Sequence, residues 1–110
     1  MNTEPIFTAL ADPTRRDLLL NLAQNSPKTA SQFATEYPIT RQGILKHLDV
    51  LEAAGLVAAY RHGREKRYTL TPKPLNDLEQ WIHALSAKWD ERLGRLKRYV
   101  ENDMPDPDGA

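Results

Sequence analysis

The spacing of apolar positions changes several times along the chain, and each change marks a predicted element. Residues 5–11 carry apolar side chains at helical spacing and predict a short first helix. Asp12-Pro13 then restarts the chain, because aspartate is a good N-cap and proline fits the first helical position. The second helix is predicted to run to about Ala23, before Asn25-Ser26-Pro27 ends it. Thr29 is expected to cap a short third helix.

Residues 38–57 predict a fourth helix, and the rest of the chain is organised around it. Thr40 is a favourable N-cap, and Gly55 suits the left-handed conformation that often follows the end of a helix. Ile44, Leu48 and Leu51 recur at i, i+4 and i+7, so they lie on one face that needs a core. Two short helices joined by a tight turn at residues 36–39 predict a helix-turn-helix arrangement.

The outward side of this fourth helix is suited to nucleic acid. Its first two turns present neutral, small or basic residues, and the cap residue Thr40 is placed to contact a phosphate. A helix of this kind fits a DNA major groove, which is about 12 Å wide. A core helix with an ordinary solvated face explains the same pattern, so both interpretations stay open at this point. The candidate groove-facing residues are Thr40, Arg41, Gln42, Gly43, Leu45 and Lys46.

After Gly55 the pattern changes to that of two short strands. Residues 56–61 and 66–70 bracket His62-Gly63-Arg64-Glu65, which predicts a β-hairpin. A hairpin tipped with arginine can reach a phosphate backbone or the minor groove, with Arg64 as the candidate for the groove. A solvated hairpin that uses charge to protect its edges is the alternative, but the position directly after a groove-shaped helix favours DNA. The candidate hairpin contacts are Arg61, Arg64, Lys66 and Arg67.

A long last helix is predicted from about Leu75 to Val100. Its apolar residues are spaced by three or four, and a helix of this span is about 40 Å long, more than a domain this small covers. The same helix of a second subunit, joined by the first helix, is the expected cover, although a helix folded onto its own domain remains an alternative. The candidate dimer-interface residues are Ile6, Phe7, Leu10, Leu78, Trp81, Ile82, Leu85, Trp89, Leu93 and Leu96.

Composition narrows the class of protein. The 110 residues suit one domain at 1–100, followed by an acidic segment at 101–110 that is expected to be disordered. The formal net charge is zero, yet residues 40–70 carry six basic and three acidic side chains. The absence of cysteine excludes disulfides and thiolate metal sites. No apolar run suits a membrane span and no signal-peptide pattern is present, so we expect a cytoplasmic protein that does not contact membranes.

The fold class predicted is mainly α with a small β-hairpin (α+β), a winged helix-turn-helix that dimerises through its first and last helices. Three stretches carry a family resemblance. Residues 9–16 (ALADPTRR) resemble the opening motif of ArsR/SmtB-type bacterial repressors, residues 40–57 resemble their recognition helix and its exit, and Gly63 to Leu70 resemble their wing. The resemblance covers about residues 5–100 and implies a homodimeric repressor that binds an inverted repeat in double-stranded DNA.

The metal sites of that family are not matched here. The site on the helix before the recognition helix needs cysteines, and this chain has none. The site on the last helix needs an Asp-x-His pair and further His or Glu ligands about three turns later. Here Trp81 stands two residues before His83, and Gly94 stands eleven residues after it. His47, His62 and His83 lie on different predicted elements, so they do not form the cluster that zinc needs. The chain resembles the branch of the family that lacks metal ligands, and no metal or other cofactor is expected.

Two family positions leave residue roles open. Leu45 stands where the family often has a small polar residue, and it suits contact either with a thymine methyl group or with the wing. His47 matches a frequent family histidine, and its angle beside the core face predicts a mainly structural role.

The function predicted is that of a sequence-specific DNA-binding repressor. A winged-helix module that binds a protein through the same surface is the alternative. An enzyme is not expected, because no nucleophile elbow, glycine-rich phosphate loop or carboxylate–histidine constellation is present. A small-molecule effector stays unknown: an apolar ligand near Trp81 and Trp89 competes with ordinary interface packing as an explanation of those side chains.

Overall fold

The computed structural model describes residues 3–103. Five helices and a three-stranded antiparallel sheet form the α+β fold predicted. The elements in chain order are α1 (Glu4–Leu10), α2 (Pro13–Asn25), β1 (Lys28–Thr29), α3 (Ala30–Glu36), α4 (Arg41–Ala53), β2 (Val57–His62), β3 (Glu65–Leu70) and α5 (Lys73–Arg98), followed by a π-helical segment, Tyr99–Asp103. The chain divides into an N-terminal unit up to Asp77 and a C-terminal unit from Leu78 onward.

The junction between α1 and α2 is held by side chains of the motif that opens α2. Asp12 Oδ1 accepts from the backbone N–H groups of Thr14 (2.8 Å) and Arg15 (3.2 Å), as the predicted N-cap requires. Arg15 Nε donates to the carbonyl of Ala9 (2.7 Å), and Arg16 Nη1 donates to that of Leu10 (2.7 Å). These guanidinium groups satisfy carbonyls at the end of α1 that have no intrahelical partner.

Both helices of the helix-turn-helix begin at the caps predicted. Thr29 forms a capping box with Gln32, and Thr40 Oγ1 accepts from the backbone N–H of Gly43 (3.1 Å). The apolar stripe of α4 is fully buried, since Ile44, Leu48 and Leu51 are each 0% exposed. Gly55 follows the end of α4 with a φ of 76°, the left-handed conformation expected of it.

The hairpin is tighter than predicted, and the sheet has one more strand. His62 pairs with Glu65, so the connection is two residues, with Gly63 at a φ of 64° in the first central position that type II′ turns give to glycine. The additional strand, β1, pairs with the outer edge of β3 and aligns Lys28 with Tyr68. Two residues are too short to show an alternating pattern, so the sequence did not reveal β1.

The core of the N-terminal unit lies where α1, α2, α3, α4 and the base of the hairpin meet. Ile6 is 4% exposed and belongs to this core, so it offers little surface to the dimer interface predicted for it. Its neighbour Phe7 is 40% exposed, because two successive helical residues point about 100° apart. The buried apolar side chains of this unit are Ile6, Ala9, Leu18, Leu19, Leu22, Ala30, Phe33, Ile44, Leu48, Leu51, Leu56, Val57 and Tyr68.

The last helix presents a long apolar surface to solvent. Leu78 is only 8% exposed, so it adds little to such a surface and does not suit the interface role predicted for it. We call the remaining exposed row the apolar seam: Trp81, Ile82, Leu85, Trp89, Leu93, Leu96 and Val100. Helical structure continues to Asp103, three residues past the predicted domain end, and the rest of the predicted disordered tail lies outside the described residues.

Candidate nucleic-acid interface

The exposed side of α4 carries the polar side chains expected there. Arg41, Gln42 and Lys46 are exposed in the first two turns, and Leu45 is half-buried beside them. Within residues 3–103, neither Gln42 nor Lys46 has a side-chain hydrogen bond or ion pair with another residue. The Gln42 amide and the Lys46 ammonium are therefore available to form hydrogen bonds with base edges or phosphates.

Gly43 has a packing reason to be glycine. A Cβ built on it would lie 2.6 Å from Ile39 Cγ2 and 3.4 Å from Thr40 Oγ1. The turn between α3 and α4 therefore folds closely over the first turn of α4. The small residue that the sequence placed on the flank of the groove-facing surface keeps the cap of that helix compact.

The register of the hairpin divides its cations between two faces. Arg61 and Lys66 are cross-strand partners, and residues that pair across strands point to the same side of a sheet. This side also carries the buried Tyr68, whereas Tyr60 pairs with Arg67 on the opposite side. The four wing candidates therefore do not act as one surface.

Charge pairing separates the same residues. Arg67 Nε donates to Glu65 Oε2 at 3.1 Å, so its charge is offset within the hairpin. Among the described residues, none of the other five candidate cations has an acidic side chain as a salt-bridge partner: Arg41, Lys46, Arg61, Arg64 and Lys66. The structure thus places positive charge without acidic partners on the first two turns of α4 and on one side and the tip of the hairpin, while the acids of α4, Asp49 and Glu52, come later in the helix.

A cleft of about 200 Å³ lies between α3, α4 and the hairpin. We call it the helix–hairpin cleft; its lining residues are Thr29, Ala30, Ser31, Arg41, Leu45, Arg64, Glu65, Lys66 and Tyr68. Ser31 Oγ accepts a hydrogen bond from Arg41 Nε at 3.1 Å, which ties α3 to the start of α4. Ser31 was not predictable as part of this surface, because an exposed serine inside a short helix carries no signal by itself.

A polar network fixes α3 against α2 and β1. Lys28 Nζ donates to Glu36 Oε1 (2.6 Å), and Asn21 Nδ2 donates to Glu36 Oε2 (2.9 Å). The Lys28 ammonium and the Asn21 amide hold the pKa of Glu36 below its ordinary value. Burial and a hydrogen bond donated to the Asp17 carboxylate raise the pKa of Tyr37.

The histidines are dispersed as the sequence suggested. His47 Nδ1 lies 3.4 Å from Arg15 Nη1, and because a guanidinium only donates, the ring nitrogen is the acceptor. This contact joins α4 to the start of α2 and gives His47 a structural partner. Over residues 3–103, no group of three or more His, Cys, Asp or Glu side chains is arranged to hold a metal ion. In the same range, no helix has the length and apolar character needed to cross a bilayer.

Comparison with known proteins shows which class of protein the chain resembles. Residues 10–58 match the family described as a helix-turn-helix domain. The chain is 42% identical to YuzN, an uncharacterized HTH-type transcriptional regulator of Bacillus subtilis, over 74% of this chain and 96% of YuzN. It is 32% identical to the transcriptional repressor SdpR of the same organism, over 80% of this chain and 97% of SdpR. An ArsR-like transcriptional regulator from Rhodococcus sp. RHA1 superposes with a TM-score of 0.83 at 38% identity, covering 90% of each chain.

Proposed function

Because this chain belongs to the ArsR family of helix-turn-helix transcriptional regulators, we propose that it is a homodimeric repressor acting on an inverted-repeat operator. The family consists of DNA-binding regulators and is not a class of enzymes. The observation that carries the proposal is a set of five cations, on the first two turns of α4 and on the hairpin, that have no acidic partner within residues 3–103. A surface of uncompensated positive charge next to an exposed glutamine suits a phosphate-lined groove.

In the proposed complex, the two α4 helices of a dimer enter successive major grooves about 34 Å apart. Gln42 and Lys46 read bases, since both are exposed on the outer side of α4 and have no protein partner within residues 3–103. A glutamine amide pairs in bidentate fashion with adenine, and a lysine ammonium bonds to guanine. Leu45 lies between this surface and the hairpin, where it suits contact with a thymine methyl group.

The hairpin serves as the wing, with its cations in unequal roles. Arg64 stands at the turn and is exposed, which suits insertion into a minor groove. Arg61 and Lys66, on the side shared with Tyr68, contact phosphates. Arg67 is assigned no DNA contact, because it is bonded to Glu65 and points to the other side.

The proposed dimer forms through the apolar seam of α5, joined by Phe7. The 26 residues of α5 span about 39 Å at 1.5 Å per residue. Trp89 is 59% exposed and Leu96 is 58% exposed, whereas large apolar side chains arranged in a row are usually covered. The heptad-like spacing of the seam suits packing against the same helix of a second copy. Phe7, at 40% exposed, and Leu10, half-buried, are the contributions of α1.

We propose that the repressor does not respond to a metal ion. The support is compositional: the chain contains no cysteine, and its three histidines stand on α4, β2 and α5. Thiolate and clustered imidazole ligands are the ones that zinc and similar ions favour.

The test is fluorescence-anisotropy binding to a duplex from upstream of the chain's own gene, against a scrambled duplex, across a salt series. A preference of about 10³ or more with a steep salt dependence is expected. Arg64→Gln should weaken binding to both duplexes and lower the salt slope by about one. Arg67→Gln is the matched control, since the same charge is removed from the other side of the hairpin, and it should leave the slope unchanged.

Two outcomes would contradict the proposal. Equal, weak and salt-insensitive binding to the native, scrambled and other promoter duplexes would favour a winged-helix module that binds a protein. Equal slopes for the Arg64 and Arg67 variants would refute the division of the wing into two faces.

A further inference from the structure

We propose that the helix–hairpin cleft holds one phosphodiester of the DNA backbone, and that Arg41, positioned by Ser31, contacts this phosphate instead of reading a base. This inference rests on the proposed DNA-binding mode and assigns a role within it to Ser31, which the sequence did not select. Arg41 is the first residue of α4 and lines the cleft.

The hydrogen bond between Ser31 and Arg41 fixes the direction of the guanidinium. Arg41 Nε donates to Ser31 Oγ at 3.1 Å, so the side chain is drawn toward α3 and away from the outer side of α4. Its Nη1 and Nη2 groups have no partner among residues 3–103. Two parallel N–H groups of one guanidinium match two phosphate oxygens, which makes arginine suited to bidentate phosphate contacts. Ser31 accepts from Arg41 through its oxygen, so its own O–H is left to donate to the same anion.

The opposite wall of the cleft supplies further positive charge. Arg64 and Lys66 line it from the hairpin, and the Lys66 ammonium lies 5.5 Å from the centroid of the Tyr68 ring. Glu65 is the acidic side chain in the lining, and Arg67 bonds to its carboxylate from the other side. The local balance is therefore positive, as a phosphodiester requires.

The same geometry separates positioning from reading on α4. Arg41 is turned toward α3 and the hairpin, while Gln42 and Lys46 keep exposed side chains without protein partners in the described part of the chain. A phosphate contact fixes the register of a helix in the groove but carries no sequence information. Removing the Arg41 side chain should therefore weaken binding to every duplex. Removing the Gln42 side chain should instead reduce the preference for the native duplex over a scrambled one.

The experiment is a methylphosphonate scan, in which single backbone phosphates of the native duplex are made neutral and binding is measured by anisotropy. We expect one position in each half-site where neutralisation weakens wild-type binding about tenfold. Arg41→Ala should lose affinity by a similar factor for native and scrambled duplexes, and it should no longer respond to neutralisation at that position. Ser31→Ala should reduce that response, and Ser31→Thr, which keeps the hydroxyl group, should restore it. Gln42→Ala is the matched control and should retain the full response.

The outcomes distinguish this proposal from the function on which it rests. If the wild type shows no preference for any promoter duplex, the proposed function fails and this proposal fails with it. If the wild type has that preference and Arg41→Ala loses affinity only for the native duplex, Arg41 reads a base and only this proposal is overturned. A third arm titrates inorganic phosphate at constant ionic strength. If inorganic phosphate competes with the duplex and no backbone position shows a response that depends on Arg41, the cleft is a site for free anions. That outcome would also overturn the proposal.

Discussion

Gly43→Ala tests the close approach of the α3–α4 turn to the first turn of α4. The added methyl group would lie 2.6 Å from Ile39 Cγ2, about 1 Å inside the separation of ordinary carbon contacts. Overpacking of this kind costs about 1–3 kcal/mol, because Ile39 is β-branched and its side chain has few alternative rotamers. The higher helix propensity of alanine returns at most about 1 kcal/mol. An overlap of about 1 Å with a side chain of few rotamers places the cost in the upper part of this range, at about 2–3 kcal/mol. The expected net loss is therefore about 1–2 kcal/mol.

Urea unfolding followed by circular dichroism, at one fixed protein concentration, measures this loss. The midpoint should fall while the m-value stays constant, because the surface exposed on unfolding hardly changes. The matched variants are Ile39→Ala and the double variant Ile39→Ala/Gly43→Ala. Once Ile39 is truncated, the methyl group has room, so the double variant should be more stable than the sum of the single effects by at least about 0.5 kcal/mol. A Gly43→Ala protein as stable as the wild type, or additive effects in the double variant, would refute the close-approach argument.

Two further predictions concern other parts of the chain. Trp89→Glu should convert the proposed dimer to a monomer, as measured by light scattering, because it places a charge in the apolar seam. Lys88→Glu changes a charge beside that seam and should leave the mass unchanged. A Trp89→Glu protein that is still a dimer would exclude α5 from the interface. Glu36→Gln should reduce the pH dependence of stability on the acid side. Because the pKa of Glu36 is lowered in the folded state, its contribution to stability is complete above the ordinary value of 4.5 and is lost as the pH falls through the lowered pKa. Wild type and variant should therefore converge in acid unfolding titrations, and a constant difference in stability between them would contradict this.

The elements with strong local signals were predictable from sequence. Asp12, Thr29 and Thr40 cap the helices assigned to them, because an N-cap acts through backbone N–H groups only two or three residues away. The three-residue stripe of α4 was predictable because its period requires a buried side wherever the helix packs. The burial of Ile6 was not predictable, because it and Phe7 are adjacent apolar residues, and only the packing of α1 on its neighbours decides which of them is covered.

The candidate interface was predictable as a region but not as a set of roles. The Ser31–Arg41 hydrogen bond depends on how α3 crosses α4, which no periodicity encodes. The faces on which the wing cations lie were more nearly predictable from the sequence. Arg61 and Lys66 flank the predicted loop, so their pairing, and with it the placement of Glu65 and Arg67 on one side, follows from hairpin geometry. The prediction that included Arg67 among the DNA contacts counted charges along the chain and did not consider the face on which each lies.

The distinction between paired and unpaired charges explains how a chain of zero net charge presents a DNA-binding surface. Over residues 3–103, acids such as Asp12, Glu36 and Asp77 are bonded to cations of their own or adjacent elements. On the hairpin, Glu65 is bonded to Arg67, whereas Arg61, Arg64 and Lys66 have no acidic partner among the described residues. At physiological ionic strength, interactions between exposed charges decay over about 8 Å, so acids on distant parts of the chain do not cancel this local field. The quantity that matters for binding is therefore the number of unpaired cations within reach of the phosphates, and the net charge of the whole chain does not measure it.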